Sequence, residues 1–151
     1  MNAPFIDSNY IVALVDEDDS LHHQAVSLEL HLSRFDQIVP DVSLIEAVSV
    51  LARRSEEKRK TERFPAILET LNSLFPVAEI LWLSPSVPRY YRDCFQMMAT
   101  HHGQLNFNDC LLVTYMHEKS IKWIVSFDKD FDAVKTIHRI KSPDDVQLYL
   151  T

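Results

Sequence analysis

The stretch that decides the fold is Phe5-Ile6-Asp7-Ser8-Asn9, close to the amino terminus. Two apolar residues are followed by a carboxylate and two small polar residues, and a helical-looking run from Tyr10 to Val15 comes next. This pattern predicts a short buried strand that ends in an acid and leads into a helix. The carboxyl ends of strands in a parallel sheet form the edge where ligands bind. We therefore expect Asp7 to begin a metal-binding acid cluster.

Length and composition limit the class of protein. The chain has 151 residues, the size of one domain, and 46% of them are hydrophobic, which is enough for a sizeable core. We expect neither a membrane span nor a secretory signal, because no sufficiently long apolar stretch is found. With only Cys94 and Cys110, the chain is expected to lie in a reducing, cytoplasmic compartment without a disulfide framework.

The net charge of −7 argues against a protein that binds nucleic acid through general electrostatics, since such a protein is expected to be basic. It does not argue against a nuclease, because divalent cations neutralise a cluster of acidic ligands locally. The single glycine, Gly103, excludes phosphate-binding loops and dinucleotide-binding fingerprints, which need several glycines in one turn.

Strands and helices alternate along the chain without repeats or a long linker, which predicts one α/β domain covering residues 1–151. The expected strands are Phe5–Asp7, Gln37–Pro40, Val77–Leu83, Trp123–Ser126 and a last one near Ile137–Ile140. The expected helices run from Ser8 to Val15, from Leu21 to Arg34, from a cap at Asp41 or Ser43 to about Arg54, from Arg63 to Leu74, from Val87 to His102, from Asn106 to Lys119, and after Pro143.

Glu46 is the second candidate acid. Its helix carries apolar residues almost all round, which predicts a largely buried helix. A lone ionised carboxylate in such a place is costly unless a cation meets it. That cation is either a basic side chain, such as Arg53, or a metal ion, and the other acids favour the metal.

Two more acids complete the candidate set. Asp109 stands in the first turn of a helix and shares its apolar face, so it is expected to point inward. An acid at this position can cap the helix, bind a metal, or do both. Asp128 follows the apolar strand Trp123–Ser126 and repeats the opening arrangement of strand and acid. Asp130 is the alternative for this fourth carboxylate.

Charged runs occur at two further places. Six basic and three acidic residues lie between Arg53 and Arg63. Such a run is usually a solvated helix end, and its functional interpretation is a basic surface that steers a nucleic-acid backbone towards the acids through Arg53, Arg54, Lys58 and Arg59. We expect the acidic turn Asp16–Asp19 to be solvated. His22, His23 and His31 are expected to be surface residues.

The four acids and their surroundings resemble the PIN-domain ribonuclease family, which includes the VapC-type toxins of toxin–antitoxin pairs. The matching motifs are Phe5–Asn9, Ser43–Ala47, Asn108-Asp109 and Trp123–Phe131, in the family's order and spacing. Ser126 stands where threonine is commoner, and this departure removes no acid.

The resemblance implies a three-layer α/β/α sandwich with a central, mostly parallel sheet of four to five strands. It also implies a metal-dependent endoribonuclease that leaves a 5′-phosphate and a 3′-hydroxyl. It further implies a homodimer and a cognate antitoxin. The implied ligands of Mg²⁺ or Mn²⁺ are Asp7, Glu46, Asp109 and Asp128, and Asn9 and Ser126 would orient carboxylates or water.

Two other functions stay open. A non-catalytic PIN-like module that binds RNA or protein would tolerate an incomplete acid set, whereas this chain keeps four acids. A metal-dependent phosphohydrolase could act on small phosphates. An aspartyl-phosphate enzyme of the dehalogenase type should carry Asp-x-Asp after its first strand, but Asn9 replaces the second aspartate and Glu46 has no role in that scheme.

Overall fold

The computed structural model describes residues 3–151, so Met1 and Asn2 of the expected domain lie outside it. None of the helices in this range is long and apolar enough to cross a membrane. The strands are β1 (Phe5–Ile6), β2 (Val39–Pro40), β3 (Ile80–Leu81), β4 (Trp123–Val125) and β5 (His138–Ile140). The α-helices are α1 (Ser8–Val15), α2 (His22–Leu32), α3 (Asp41–Glu57), α4 (Phe64–Leu74), α5 (Val87–Thr100), α6 (Phe107–Glu118) and α7 (Pro143–Leu150).

The strands lie side by side in the order β3-β2-β1-β4-β5, and every pair is parallel. A parallel bridge between Phe5 and Ile38 connects the β1-β4-β5 group to the β2-β3 group. The backbone N–H of Ile6 donates to the carbonyl of Ile38 at 2.9 Å there. Since β1 has β2 on one side and β4 on the other, its carboxyl end is the point where the strand order reverses.

Two hydrophobic cores cover the two faces of the sheet. Ile6 and Val125 pack into the core formed with α1, α2, α3, α4 and α7. Their neighbours Phe5 and Ile124 pack on the opposite face, in the core formed with α5 and α6. This alternation follows from the pleat of the strands, which sends successive side chains to opposite faces. The predicted three-layer α/β/α sandwich around a parallel sheet is therefore confirmed.

A buried carboxylate anchors the start of α3, the helix that carries Glu46. Asp41 is 3% exposed, and one of its oxygens accepts hydrogen bonds from the backbone N–H groups of Val42 at 2.9 Å and Leu83 at 2.8 Å. Its other oxygen accepts from the hydroxyl of Ser84. These bonds tie α3 to the segment after β3 and so fix the end of the helix nearest the sheet.

The structure corrects three expectations about these elements. The N-cap of α3 is Pro40, not Asp41 or Ser43, and the helix continues to Glu57. The third strand is shorter than predicted, because Val77–Glu79 forms a 3₁₀ turn. The expectation of a largely buried α3 was also wrong, since Ile45 is 58% exposed. Only one stripe of α3 packs on α1, and much of the remaining surface faces solvent.

Candidate active site

Asp7 lies at the carboxyl end of β1 and is the N-cap of α1. Its Oδ1 accepts a hydrogen bond from the N–H of Ser8, and its Oδ2 accepts one from Ser126 Oγ, both at 2.7 Å. The side chain is only 5% exposed. This burial raises the pKa of Asp7 to about 6, against the effect of the two hydrogen bonds, and the charges of Glu46 and Asp128 raise it further.

Asp109 lies in the first turn of α6 and forms a capping box with Asn106. Asn106 Oδ1 accepts from the N–H of Asp109, and Asp109 Oδ2 accepts from the N–H of Asn106, both at 2.9 Å. Burial raises the pKa of Asp109 to about 7, and the charges of Asp7, Asp128 and Glu46 add to this effect. The capping role considered from the sequence is confirmed, and the metal-binding role stays a prediction.

Glu46 reaches the same cluster from α3 and is half-buried. Its Oε2 accepts a hydrogen bond from Asn108 Nδ2 at 3.1 Å. Arg53, the suggested salt-bridge partner of Glu46, instead approaches Glu57 at 3.8 Å. The structure therefore shows the carboxylate of Glu46 held by an amide and available to the acid cluster.

Asp128 and Asp130 differ in their surroundings. Asp128 is the N-cap of a 3₁₀ turn, with its Oδ1 accepting from the N–H of Asp130 at 2.8 Å. Its negative charge raises the pKa of both Asp7 and Asp109. The carboxylate of Asp130 instead accepts a hydrogen bond from Gln104 Nε2 at 3.1 Å. The geometry thus favours Asp128 as the fourth acid.

Ser126 and Asn9 connect the two strand-end acids. The fully buried Ser126 hydroxyl donates to Asp7 and accepts from the N–H of Asp128 at 3.0 Å. Asn9 Oδ1 accepts from the N–H of Phe127 at 3.1 Å, which ties α1 to the segment after β4. Ser126 therefore bonds the carboxylate of Asp7 directly, whereas Asn9 bonds the segment between Ser126 and Asp128 and, within residues 3–151, no carboxylate.

The geometry agrees with the comparison to known proteins. A family model for the PIN domain matches residues 5–137, a segment that contains all four acids. This chain belongs to the PIN-domain family. The similarity stated from the sequence motifs is thereby confirmed at the level of the family.

A solved structure shares the fold of this PIN domain. It is the crystal structure of VapC20 from Mycobacterium tuberculosis, described as a toxin that cleaves the sarcin–ricin loop. The TM-score is 0.67 and the sequences are 20% identical over 89% of this chain and 97% of VapC20. At this identity the likeness shows the fold alone. The search of curated proteins found no match.

The acid cluster of the PIN domain has the donor chemistry of a Mg²⁺ or Mn²⁺ site. Its donors are carboxylate oxygens, which suit hard cations. Within residues 3–151, no three His, Cys, Asp or Glu side chains stand close enough to ligate one ion directly. Mg²⁺ usually keeps several waters and binds through one or two carboxylates, so a magnesium site does not require three side chains on one ion. Burial is the main cause of the raised pKa values of Asp7 and Asp109, the neighbouring acids add to it, and a bound cation would favour the charged form of both carboxylates.

Sequence reasoning missed two residues that hold the cluster in place. Asn108 bonds Glu46, and its only sequence signal was its position beside Asp109. Arg139 on β5 donates to both carboxylate oxygens of Asp132 at 2.8 Å and to the carbonyl of Ser126 at 3.4 Å. Through these hydrogen bonds, Arg139 holds the segment that carries Asp128 next to β5. No local pattern in the sequence pointed to Arg139.

The expectation of a solvated acidic turn was wrong for Asp16 and Asp19. Arg54 Nη1 donates to Asp16 at 2.9 Å and to Asp19 at 2.6 Å, and these two carboxylates are only 12% and 10% exposed. Lys58 approaches Asp18 at 3.9 Å. Asp16 and Asp19 are therefore held in ion pairs with Arg54, whereas Glu17 and Asp18 remain exposed.

Arg53 and Arg59 stand apart from these ion pairs. The Arg53 side chain is 66% exposed and lies seven residues after Glu46, on the same helical face and about 10 Å along the axis. Arg59 is exposed just beyond the end of α3. Of the four basic residues predicted to contact nucleic acid, Arg53 and Arg59 are therefore the more accessible to a phosphate backbone.

Proposed function

We propose that this PIN domain is a metal-dependent endoribonuclease that hydrolyses RNA phosphodiester bonds. The observation that carries the proposal is the convergence of four carboxylates from different segments at the carboxyl edge of the sheet, where the strand order reverses. Bound Mg²⁺ or Mn²⁺ would supply positive charge for the phosphate and would activate a water nucleophile. The four acids are Asp7, Glu46, Asp109 and Asp128.

The carboxylates and the side chains that hold them have different tasks in this proposal. Asp7 and Asp109 are partly protonated near neutral pH and would give up those protons when a cation binds. Asn108 fixes the carboxylate of Glu46, and Ser126 fixes that of Asp7. These hydrogen bonds hold the oxygens in position before RNA arrives, which reduces the reorganisation needed for the reaction.

The test is cleavage of RNA by the purified protein with Mg²⁺ or Mn²⁺, and with a chelator. Removing residues that only orient a metal site costs about 10-fold to 100-fold, so Asp7→Asn and Asp109→Asn should each cost at least about 100-fold. Asp130→Asn is the matched control, because the carboxylate of this nearby acid accepts a hydrogen bond from Gln104 instead of belonging to the four acids, and it should keep most of the activity. Unchanged cleavage by both site variants would point to a contaminating nuclease and would refute the proposed site.

We further propose that the protein is the toxin of a type II pair and acts in the cytoplasm as a homodimer. The cognate antitoxin would block the acid cluster. The fold likeness to VapC20 makes a synthetic sarcin–ricin loop RNA the first defined substrate to try. Light scattering of the purified protein tests the dimer. Growth arrest on expression, relieved by co-expression of the product of a neighbouring gene, tests the toxin assignment.

A non-catalytic module is the second candidate, favoured by the spacing of the acids, which leaves no preassembled three-residue ligand set within residues 3–151. Calorimetric titration with Mn²⁺ separates the two functions. Heat of binding that disappears in Asp7→Asn supports the nuclease, and its absence in the wild-type protein supports the non-catalytic module.

A further inference from the structure

Ser43 is a buried serine whose hydroxyl has no hydrogen-bond partner in the protein. Its side chain lies on the first turn of α3 and is 2% exposed. Among the buried side-chain oxygen and nitrogen atoms of residues 3–151, Ser43 Oγ is the one without a hydrogen-bond partner in the protein. Folded proteins satisfy almost all buried polar groups, because an unpaired one costs stability. An exception of this kind calls for a partner outside the protein.

Helix geometry places Ser43 beside the acid cluster. It lies three residues before Glu46, so the two side chains are neighbours on the helix surface. It also begins the stripe of Ser43, Ala47 and Leu51, whose apolar members share a core with α1. Helices α1 and α3 run in the same direction, because Asp7 interacts with Glu46 and Asp16 with Arg54. The Ser43 end of the stripe therefore lies towards the Asp7 end of α1.

The other buried polar groups of the cluster contrast with Ser43. Ser126 donates to Asp7 and accepts from a backbone N–H, and Asp109 is bonded in its capping box. Asp41, two residues before Ser43, accepts several hydrogen bonds from the protein. Ser43 alone among these groups keeps its donor and acceptor capacity for a ligand. Proteins keep such local violations of packing rules mainly at functional sites.

We propose that Ser43 is a positioning residue of the acid cluster, whose hydroxyl hydrogen-bonds an oxygen bound there. That oxygen belongs either to a water held by the cation or to a phosphate group of the RNA. The identity of the ligand rests on the proposed function, whereas the unsatisfied hydroxyl does not. The role differs from that of Ser126, which acts on Asp7 within the protein.

The test compares Ser43→Ala and Ser43→Cys with Ser55→Ala. Cysteine nearly keeps the volume of serine but is a weak hydrogen-bond donor, so it separates lost bonding from lost packing. Ser55 is also buried on the same stripe, about 18 Å further along α3, and serves as the matched control. Calorimetry with Mn²⁺ alone probes the cation's water, and anisotropy of a fluorescein-labelled oligouridine in chelator probes the phosphate. Urea unfolding in chelator reports stability.

Both Ser43 variants are expected to weaken Mn²⁺ or oligouridine binding by about 10-fold to 100-fold, while Ser55→Ala binds as the wild type does. Ser43→Ala should keep or raise the urea midpoint, because an unsatisfied buried hydroxyl is removed. Binding equal to wild type in both Ser43 variants would overturn this inference and leave the proposed function standing. The same holds if a lowered urea midpoint accounts for the weaker binding. A wild-type protein that binds neither probe would overturn the proposed function as well.

Discussion

Asp7 combines a structural task with a destabilising charge. As the N-cap of α1 it accepts a hydrogen bond from Ser8, and it also receives the hydroxyl of Ser126. These bonds favour the charged form, yet burial outweighs them and the pKa of Asp7 is raised to about 6. The protein therefore carries a carboxylate whose ionisation costs folding free energy, which is the expected signature of a group kept for function.

Replacing Asp7 with asparagine should stabilise the metal-free protein near neutral pH. Asparagine keeps an acceptor for Ser8, and its amide can donate to Ser126, while the buried charge disappears. The shift of the Asp7 pKa from 3.8 to about 6 corresponds to a gain of up to about 3 kcal/mol. Urea unfolding in chelator measures it. A variant that fails to fold would show that Asp7 acts mainly as a structural cap.

The metal-free protein should lose stability as the pH rises from about 4 to about 7. The pKa values of Asp7 and Asp109 are raised from 3.8 to about 6 and about 7, so the folded state binds more protons than the unfolded state in this window. Lys60 lowers the pKa of Asp18, and Arg139 lowers the pKa of Asp132. These two carboxylates therefore change the stability only at pH values below this window. Urea midpoints measured over the pH range should therefore fall, and Asp109→Asn should flatten the curve. A rising curve would contradict the burial of these acids.

At the scale of elements, the start of α6 couples helix capping to the position of an acid. Asn106→Ala should cost about 1 kcal/mol of stability, because the backbone N–H of Asp109 loses the Oδ1 of Asn106 as its acceptor. The variant should also lower activity or Mn²⁺ affinity, because the first turn of α6, which holds Asp109, is less firmly fixed. Ser142→Ala is the matched control. It removes the cap of α7, whose side-chain bonds stay within the start of that helix. Equal losses of stability with equal activity in both variants would show that the α6 cap does not position Asp109.

The sequence predicted the strands that end in Asp7 and Asp128, because each is a short apolar run with an adjacent acid and needs no long-range information. It failed for α3, since burial depends on which elements cover a helix. It could not decide between Asp128 and Asp130, because the choice depends on a 3₁₀ turn and on Gln104. The bond from Asn108 to Glu46 joins residues far apart in the chain, and such contacts have no local signature.

At the scale of the whole molecule, the net charge of −7 is unevenly distributed. The acid cluster lies at the carboxyl edge of the sheet, and the basic run lies at the far end of α3. This single helix carries Glu46 and Arg53 on one face, about 10 Å apart along its axis. An RNA strand that follows α3 would therefore meet a basic side chain and the acids in succession, although the protein as a whole repels RNA.

Replacing Arg53 with alanine should weaken RNA binding in a salt-dependent way without lowering stability. A lost phosphate contact reduces the slope of log affinity against log salt by about one, and an exposed pair such as Arg53–Glu57 contributes little to folding. Arg89→Ala is the matched control, because its side chain is similarly exposed, at 68% against 66%, and also pairs with a glutamate. Binding is measured by anisotropy in the Asp109→Asn background, where RNA cleavage should be at least about 100-fold slower. Arg54→Ala should instead lower stability, since it leaves Asp16 and Asp19 without their partner. An Arg53→Ala slope equal to that of wild type and of Arg89→Ala would show that the RNA path avoids α3 and that the basic run serves the fold.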